Sequence, residues 1–197
     1  MKYLFLMLVL IGCQQGGSAS FDTDPTLLQD LMSEYNGTRV SEGLDPVTQG
    51  LDCNVWTVPT TTTEITGATG LVSVGLFLYT GTFSQQNEPV TVGLDVFPKS
   101  LQPVIQSWYI MKCTGVMGFT EDGWHEFRIT ADDGANLYVN GLVVNDDGLH
   151  AATTVLASKF LARGVVSFEL DYLQGSGSEQ LTVMMDGVSL PESQLFH

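Results

Sequence analysis

The sequence predicts an all-β protein with one short N-terminal helix, its strands forming a sandwich or a barrel. Three observations carry that expectation. Short runs with apolar residues at every second position recur through most of the chain, the period of a half-buried strand. Gly-rich turns separate them, and Asn140-Gly141 between two apolar runs is the strongest short hairpin signal. Helical periodicity is confined to one segment near the N-terminus. Short strands at regular spacing with little helix describe a sandwich or barrel.

The helix is predicted over 25–36. Asp24 can cap it, Pro25 suits its first position and Gly37 can stop it. Leu27, Leu28, Leu31, Met32 and Tyr35 form an apolar stripe at helical spacing, a surface for docking on the main body. VPTTTTEITG, 58–67, is β-prone and polar and reads as a loop or an edge strand. LVSVGLFLYTG is an apolar run rich in strand formers and too short for a long helix. PVTVGLDVF sets Val90, Val92, Leu94 and Val96 on one face, and VIQSWYIM is a further strand candidate. HEFRITA turns Phe127, Ile129 and Ala131 inward and Glu126, Arg128 and Thr130 outward. VVSFELDYL aligns Val166, Phe168, Leu170 and Tyr172; EQLTVMM aligns Leu181, Val183 and Met185. These signals divide the chain into an N-terminal signal (1–12), a flexible tether (13–24), an extension with the helix (25–66) and a strand-bearing domain (67–197).

The chain carries a formal net charge of −15 on only seven Lys plus Arg. Such a surface repels phosphate backbones, which argues against nucleic acid as a partner. It leaves many carboxylates for a hard cation such as calcium.

MKYLFLMLVLIGC begins with a basic residue, Lys2, and runs through a short apolar core to Gly12 and Cys13. The run is too short to span a bilayer and reads as a secretion signal. Its ending LIGC resembles the lipobox of bacterial lipoproteins, which implies cleavage before Cys13 and lipid on that cysteine. Gln14 after it is not the aspartate associated with inner-membrane retention, so the resemblance implies an outer-membrane lipoprotein of the bacterial envelope. The membrane would be met through the lipid anchor alone. In an oxidising compartment Cys53 and Cys113, the only cysteines after Cys13, form a disulfide by default, with two free thiols as the competing reading. Neither has a His or Cys at metal spacing, so zinc is not supported.

The segment DGWHEFRITADDGANLYVNGLVVND, Asp122 to Asp146, resembles the central motif of the protective-antigen (PA-fourteen) domain family. That motif is a Gly-aromatic strand entry, a strand, Asp-Asp-Gly, then a Leu-Tyr-Val strand into an Asn-Gly turn. GVVSFELDYLQGSGSEQLTV resembles the family's closing hairpin and LPESQLF its exit, so the likeness covers about two thirds of the chain. It implies an antiparallel β-sandwich. In the sugar-binding branch of the family the paired aspartates are joined by a cis peptide and coordinate calcium, which contacts vicinal sugar hydroxyls. Carried over, the pair is Asp132 and Asp133, the cofactor Ca²⁺ and the partner a glycan or glycoconjugate. Ca²⁺ takes six to eight oxygen ligands, so a second loop is needed. By the same resemblance it is QGSGSEQ, in which Gln174, Ser176, Ser178, Glu179 or Gln180 could add oxygens. An ordinary Asp-Gly turn is the competing reading of the pair. A second acidic pair in NDDG, 145–148, reads as an exposed turn. Trp108, Trp124 and Tyr138 could stack on a sugar but more often belong to core or strand surface; the resemblance makes Trp124 a packing residue.

No Gly-x-Ser-x-Gly elbow frames a serine, and adjacent carboxylates cannot flank a glycosidic bond from opposite faces. The sequence therefore predicts no enzyme. A calcium-dependent carbohydrate-binding surface lipoprotein is the first expectation. A non-catalytic lipoprotein holding a protein partner in the envelope, or an accessory subunit of an envelope hydrolase, is the alternative.

Overall fold

A computed structural model describes residues 24–89, 98, 101, 105 and 107–197. The lipobox, Cys13 and most of the strand expected at PVTVGLDVF lie outside the described residues. Helix α1 (Pro25–Ser41) leads into strands β1 (Leu51–Thr57), β2 (Val72–Tyr79), β3 (Ser84–Pro89), β4 (Tyr109–Phe119), β5 (Gly123–Asp132) and β6 (Ala135–Val139). There follow β7 (Leu142–Asp146), β8 (Thr153–Leu161), β9 (Gly164–Gln174), β10 (Ser178–Met185), β11 (Val188–Ser189) and β12 (Leu195–Phe196). Two sheets face each other: β2-β1-β4-β9-β6-β7 with β12 on β4, and β11-β10-β5-β8 with β3 on β10. The described strand pairs are antiparallel. The fold is an antiparallel β-sandwich with a short helix, as expected.

Alternation builds the core. Phe127, Ile129 and Ala131 of β5 and Leu181, Val183 and Met185 of β10 point at Phe168, Leu170 and Tyr172 of β9 across the layers, all buried within one apolar cluster. Asn140 and Gly141 take positive φ values of 51° and 90°, the backbone of a tight hairpin turn between β6 and β7.

The sandwich begins earlier than residue 67. LDCNVWT forms β1 and lies between β2 and β4, with Leu51, Cys53 and Val55 buried. The strand expected at VIQSWYIM starts only at Tyr109 and continues to Phe119, because Trp108, at φ 56°, turns the chain just before it. Cys53 and Cys113 stand opposite each other in the β1–β4 register and form a disulfide, their Cα atoms 4.1 Å apart.

The helix extends beyond 36. It passes through Gly37 and runs to Ser41. The stop is Gly43, at φ 78°: its amide donates to Val40 O at 3.1 Å and the Leu44 amide to Arg39 O at 2.9 Å, a Schellman closure. Leu28, Leu31 and Met32 dock against Val116, Val165 and Phe196 on the outer face of the larger sheet. Gly118 permits the approach, since a Cβ there would lie 2.6 Å from Leu28 Cδ1.

Candidate metal site at Asp132 and Asp133

β5 ends at Asp132, and its inward alternation through Ala131 fixes how the next two residues leave the sheet. The Asp132–Asp133 peptide is cis. Gly134 follows, and a Cβ there would lie 2.5 Å from Gly148 O and 2.6 Å from Asp146 O. Only glycine lets the 146–150 loop cross at that distance. Asp133 is buried; its Oδ1 accepts the His150 amide at 3.1 Å and its Oδ2 the Gly175 amide at 2.7 Å. Asp132 is more open, accepts a hydrogen bond from the Ala152 amide, and its main-chain oxygen accepts the Tyr172 hydroxyl.

The second loop lies beside the pair. Gly175 abuts Asp133 directly, and Gln180 stands opposite Asp132 in the β5–β10 register. The five side chains of this loop do not share one direction. Gln174 is fully buried: its amide oxygen lies 2.7 Å from the Tyr172 hydroxyl, whose single proton is shared between it and Asp132 O, and its nitrogen donates to Ser178 O at 3.0 Å. Glu179 is also fully buried, with Oε2 accepting the Tyr109 hydroxyl at 3.1 Å. Both side chains brace the loop from inside. Ser176 is exposed, and Ser178 and Gln180 are half-buried.

Burial raises the carboxyl of Asp132 above the usual range, and the charge of Asp133 raises it further. Burial raises Asp133 too, against the Gly175 and His150 amides, which favour its anion. Nearby Asp146 is raised by burial, with His150 Nε2 3.2 Å from its Oδ1 pulling the other way. Two carboxylates held together at this cost in ionisation suit a bound cation. Among the described residues no three His, Cys, Asp or Glu side chains converge. Further ligands to a cation held there would therefore be neutral oxygens, from backbone carbonyls, hydroxyls or amides. An all-oxygen set of that kind fits calcium and does not suit zinc.

Other expectations resolve differently. The NDDG pair does not form the exposed turn expected: Asp146 ends β7, both aspartates are half-buried, and the Asp147 carboxylate accepts the Ile65 and Thr66 amides. Trp124, expected to pack, is 68% exposed and touches Phe160 edge-on. It sits eight residues from Asp132 along β5, roughly 27 Å away. Tyr138 lies near Lys112, Glu169 and Asp171 on the outer face of the larger sheet. Trp108 is the aromatic beside the site: its Cη2 lies 3.7 Å from the Cβ position of Gly175. The sequence reading did not single out Tyr172 as a link between Asp132 and Gln174. An inward tyrosine at a strand end, whose hydroxyl must find a partner, was the available signal.

A family model described as the PA14 domain matches residues 80–194. No curated protein matches the sequence. Among solved structures, the chain is similar to the PA14 domain of the MpAFP antifreeze protein at 21% identity, with a TM-score of 0.59, covering 77% of this chain and 92% of that one. It resembles the PA14 sugar-binding domain of an RTX adhesin at 20% identity and TM-score 0.57, covering 76% and 99%. Epithelial adhesin 9 A domain from Candida glabrata, in complex with Galβ1-4GlcNAc, aligns at 13% identity and TM-score 0.52, covering 71% and 82%. The matched region contains both aspartates and the 174–180 loop, and the chain belongs to the PA14 domain family.

Proposed function

We propose that this protein is a cell-surface lipoprotein that binds carbohydrate through a calcium ion held by Asp132 and Asp133, in an adhesive or recognition role. The contact between the Gly175 amide and Asp133 Oδ2 carries the reading, because it brings the second loop to the acidic pair. Asp132 would offer its more open carboxylate and Asp133 an edge not used by the two amides. Calcium, when bound, would supply direct coordination to two neighbouring sugar hydroxyls. Gln174 and Glu179 would hold the loop's shape from the core, and Ser176, Ser178 and Gln180 would line the exposed rim. The sugar-binding adhesin domains to which the chain is similar support a carbohydrate partner. The LIGC ending supports attachment through Cys13.

Calcium titration by calorimetry, followed by a monosaccharide panel with and without chelator, tests the reading. Calcium binding that Asp132→Ala abolishes, with sugar binding lost in chelator, is the expected result. No heat and no thermal shift in millimolar calcium would overturn it. The exposed Trp124–Phe160 pair favours a second reading, a protein partner in the envelope. Capture of one partner that survives chelator but is lost in Trp124→Ala would support that reading.

A further inference from the structure

Residues 58–69 precede the region matched by the family, yet two separate anchors tie them to the rim of the Asp132–Asp133 site. At one end the Val58 amide donates to Trp108 O at 2.7 Å, and the Trp108 amide donates to Gly175 O at 2.9 Å. At the other end Asp147 accepts the Ile65 and Thr66 amides, the latter at 3.1 Å to Oδ2. Asp147 belongs to the same loop whose Asp146 and Gly148 carbonyls press on Gly134 and whose His150 amide holds Asp133. Thr63 O stands 4.0 Å from the Cβ position of Gly148. Val58 and Ile65 pack with Ile110, Leu173 and Trp108, so the segment is clamped to the sheet.

What the segment presents outward is polar. Thr60, Thr61, Thr63 and Glu64 are exposed, while Thr62 is buried and its amide closes a turn onto Pro59 O at 2.9 Å. Pro59, Thr61, Thr63, Glu64 and Thr69 border a concavity of about 150 Å³. That is too small to enclose a ligand alone, but it can serve as one wall of a wider site. Threonine hydroxyls both donate and accept, and a glutamate accepts twice, which matches the hydroxyl pattern of a sugar.

We propose that residues 58–69 form a wall that contacts the saccharide unit next to the one bound at Asp132 and Asp133, and so set a preference for disaccharides over monosaccharides. The proposal rests on the calcium-dependent sugar reading above. A wall acting through directional hydrogen bonds discriminates because each bond left unmade strands a desolvated group.

The test uses the full chain in millimolar calcium and calorimetry with methyl β-galactoside against lactose, methyl β-glucoside against cellobiose, and methyl α-mannoside against α-1,2-mannobiose. Wild type should bind at least one disaccharide about five- to tenfold tighter than its monosaccharide, the effect of one or two net hydrogen bonds. Asp147→Ala, which releases one anchor, should lose that advantage, and the triple variant Thr61→Ala/Thr63→Ala/Glu64→Ala, which leaves both anchors, should lose it while keeping the calcium and monosaccharide affinities. The triple variant decides the matter should Asp147→Ala fail to fold. An unchanged disaccharide advantage in the triple variant, or none in wild type, overturns the wall while leaving calcium-dependent monosaccharide binding intact. Absence of any calcium or sugar binding in wild type overturns the underlying reading and the wall with it.

Discussion

The Gly175 amide donates to Asp133 Oδ2 at 2.7 Å across a separation of 42 residues. With the His150 amide on Oδ1, this bond makes Asp133 a peg between the 146–150 loop and the second loop. Asp132, half-buried and held by the Ala152 amide, has a smaller structural duty. The two aspartates therefore divide their work unequally, and the division can be measured.

In chelator, Asp133→Ala should cost about 2–4 kcal/mol, because it strands two amides that the carboxylate now accepts, each worth about 1–3 kcal/mol when left unmade. Asp132→Ala should cost less than about 1 kcal/mol, since it also removes a like charge beside Asp133. Both should abolish the calcium-induced rise in Tm, which for ligand at a hundred times its Kd is about 2.7 kcal/mol of stability. Thermal unfolding with and without calcium separates the two effects. Equal chelator-state stabilities for the two variants would remove the peg role.

Two glycines at the site should respond in opposite ways. A methyl at Gly134 would lie 2.5 Å from Gly148 O, a backbone atom that cannot swing aside, so Gly134→Ala should cost at least about 2 kcal/mol. A methyl at Gly175 would first meet the end of the Leu149 side chain at 2.9 Å and Asp133 Oδ2 at 3.2 Å. Leu149 can rotate, so Gly175→Ala should keep stability within about 1 kcal/mol of wild type while displacing Asp133 and weakening calcium binding. Urea unfolding beside calcium titration checks both; a destabilised Gly175→Ala with normal calcium affinity would contradict the geometry.

Strands with one buried face could be read from the sequence because alternation reports burial directly, as in β5, β9 and β10. The same rule, extended two residues, reaches the site: Glu179 is in phase with Leu181, Val183 and Met185, and Gln174 with Phe168, Leu170 and Tyr172. Their inward orientation was therefore available, although the loop composition suggested ligands. β8 was hidden because Leu156 and Phe160 occupy its solvent face, each about half exposed, which inverts the expected pattern. β1 alternates clearly, but its place between β2 and β4 comes from pairing with residues far along the chain. The acidic pair was visible locally. What brings Gly175 and Asp147 to it is sheet register, which no local pattern encodes.

Cys53 and Cys113 close a loop of sequence separation 60 between neighbouring strands, and both are buried. Loop-closure entropy for that length corresponds to about 4 kcal/mol, an upper figure in practice. The double variant Cys53→Ala/Cys113→Ala should lower Tm by roughly 10 °C for a chain of this size. Reductant alone should act slowly on the native protein, since neither sulfur is open to attack. Calorimetry of the double variant, and thiol release against time in reductant, would reveal a dispensable bond if neither effect appears.

Asp171 should make stability depend on pH below neutrality. It lies on the outer face of β9, only 7% exposed. Burial pushes its carboxyl up to about 6, with Lys112 opposing and Glu169 adding to the rise; Lys112 Nζ lies 3.7 Å from Oδ1. The folded state therefore holds a proton that the unfolded chain releases near 3.8. The contribution is fully present below pH 3.8 and is lost as pH rises through about 6. Across that window the loss is about 3 kcal/mol at most, at 1.36 kcal/mol per pH unit. Asp171→Asn keeps the shape without the ionisation, and Lys112 keeps Glu169 at 2.6 Å. Relative to wild type, Asp171→Asn should gain stability from pH 4 to pH 7 by an amount approaching that figure. Urea unfolding of both proteins in chelator at four pH values tests this, because chelator removes any calcium contribution from Asp132 and Asp133. The other raised carboxyls, Asp132, Asp133 and Asp146, shift both proteins alike and cancel in the difference. A pH-independent difference would mean that Asp171 ionises in the sheet as freely as it does in the unfolded chain.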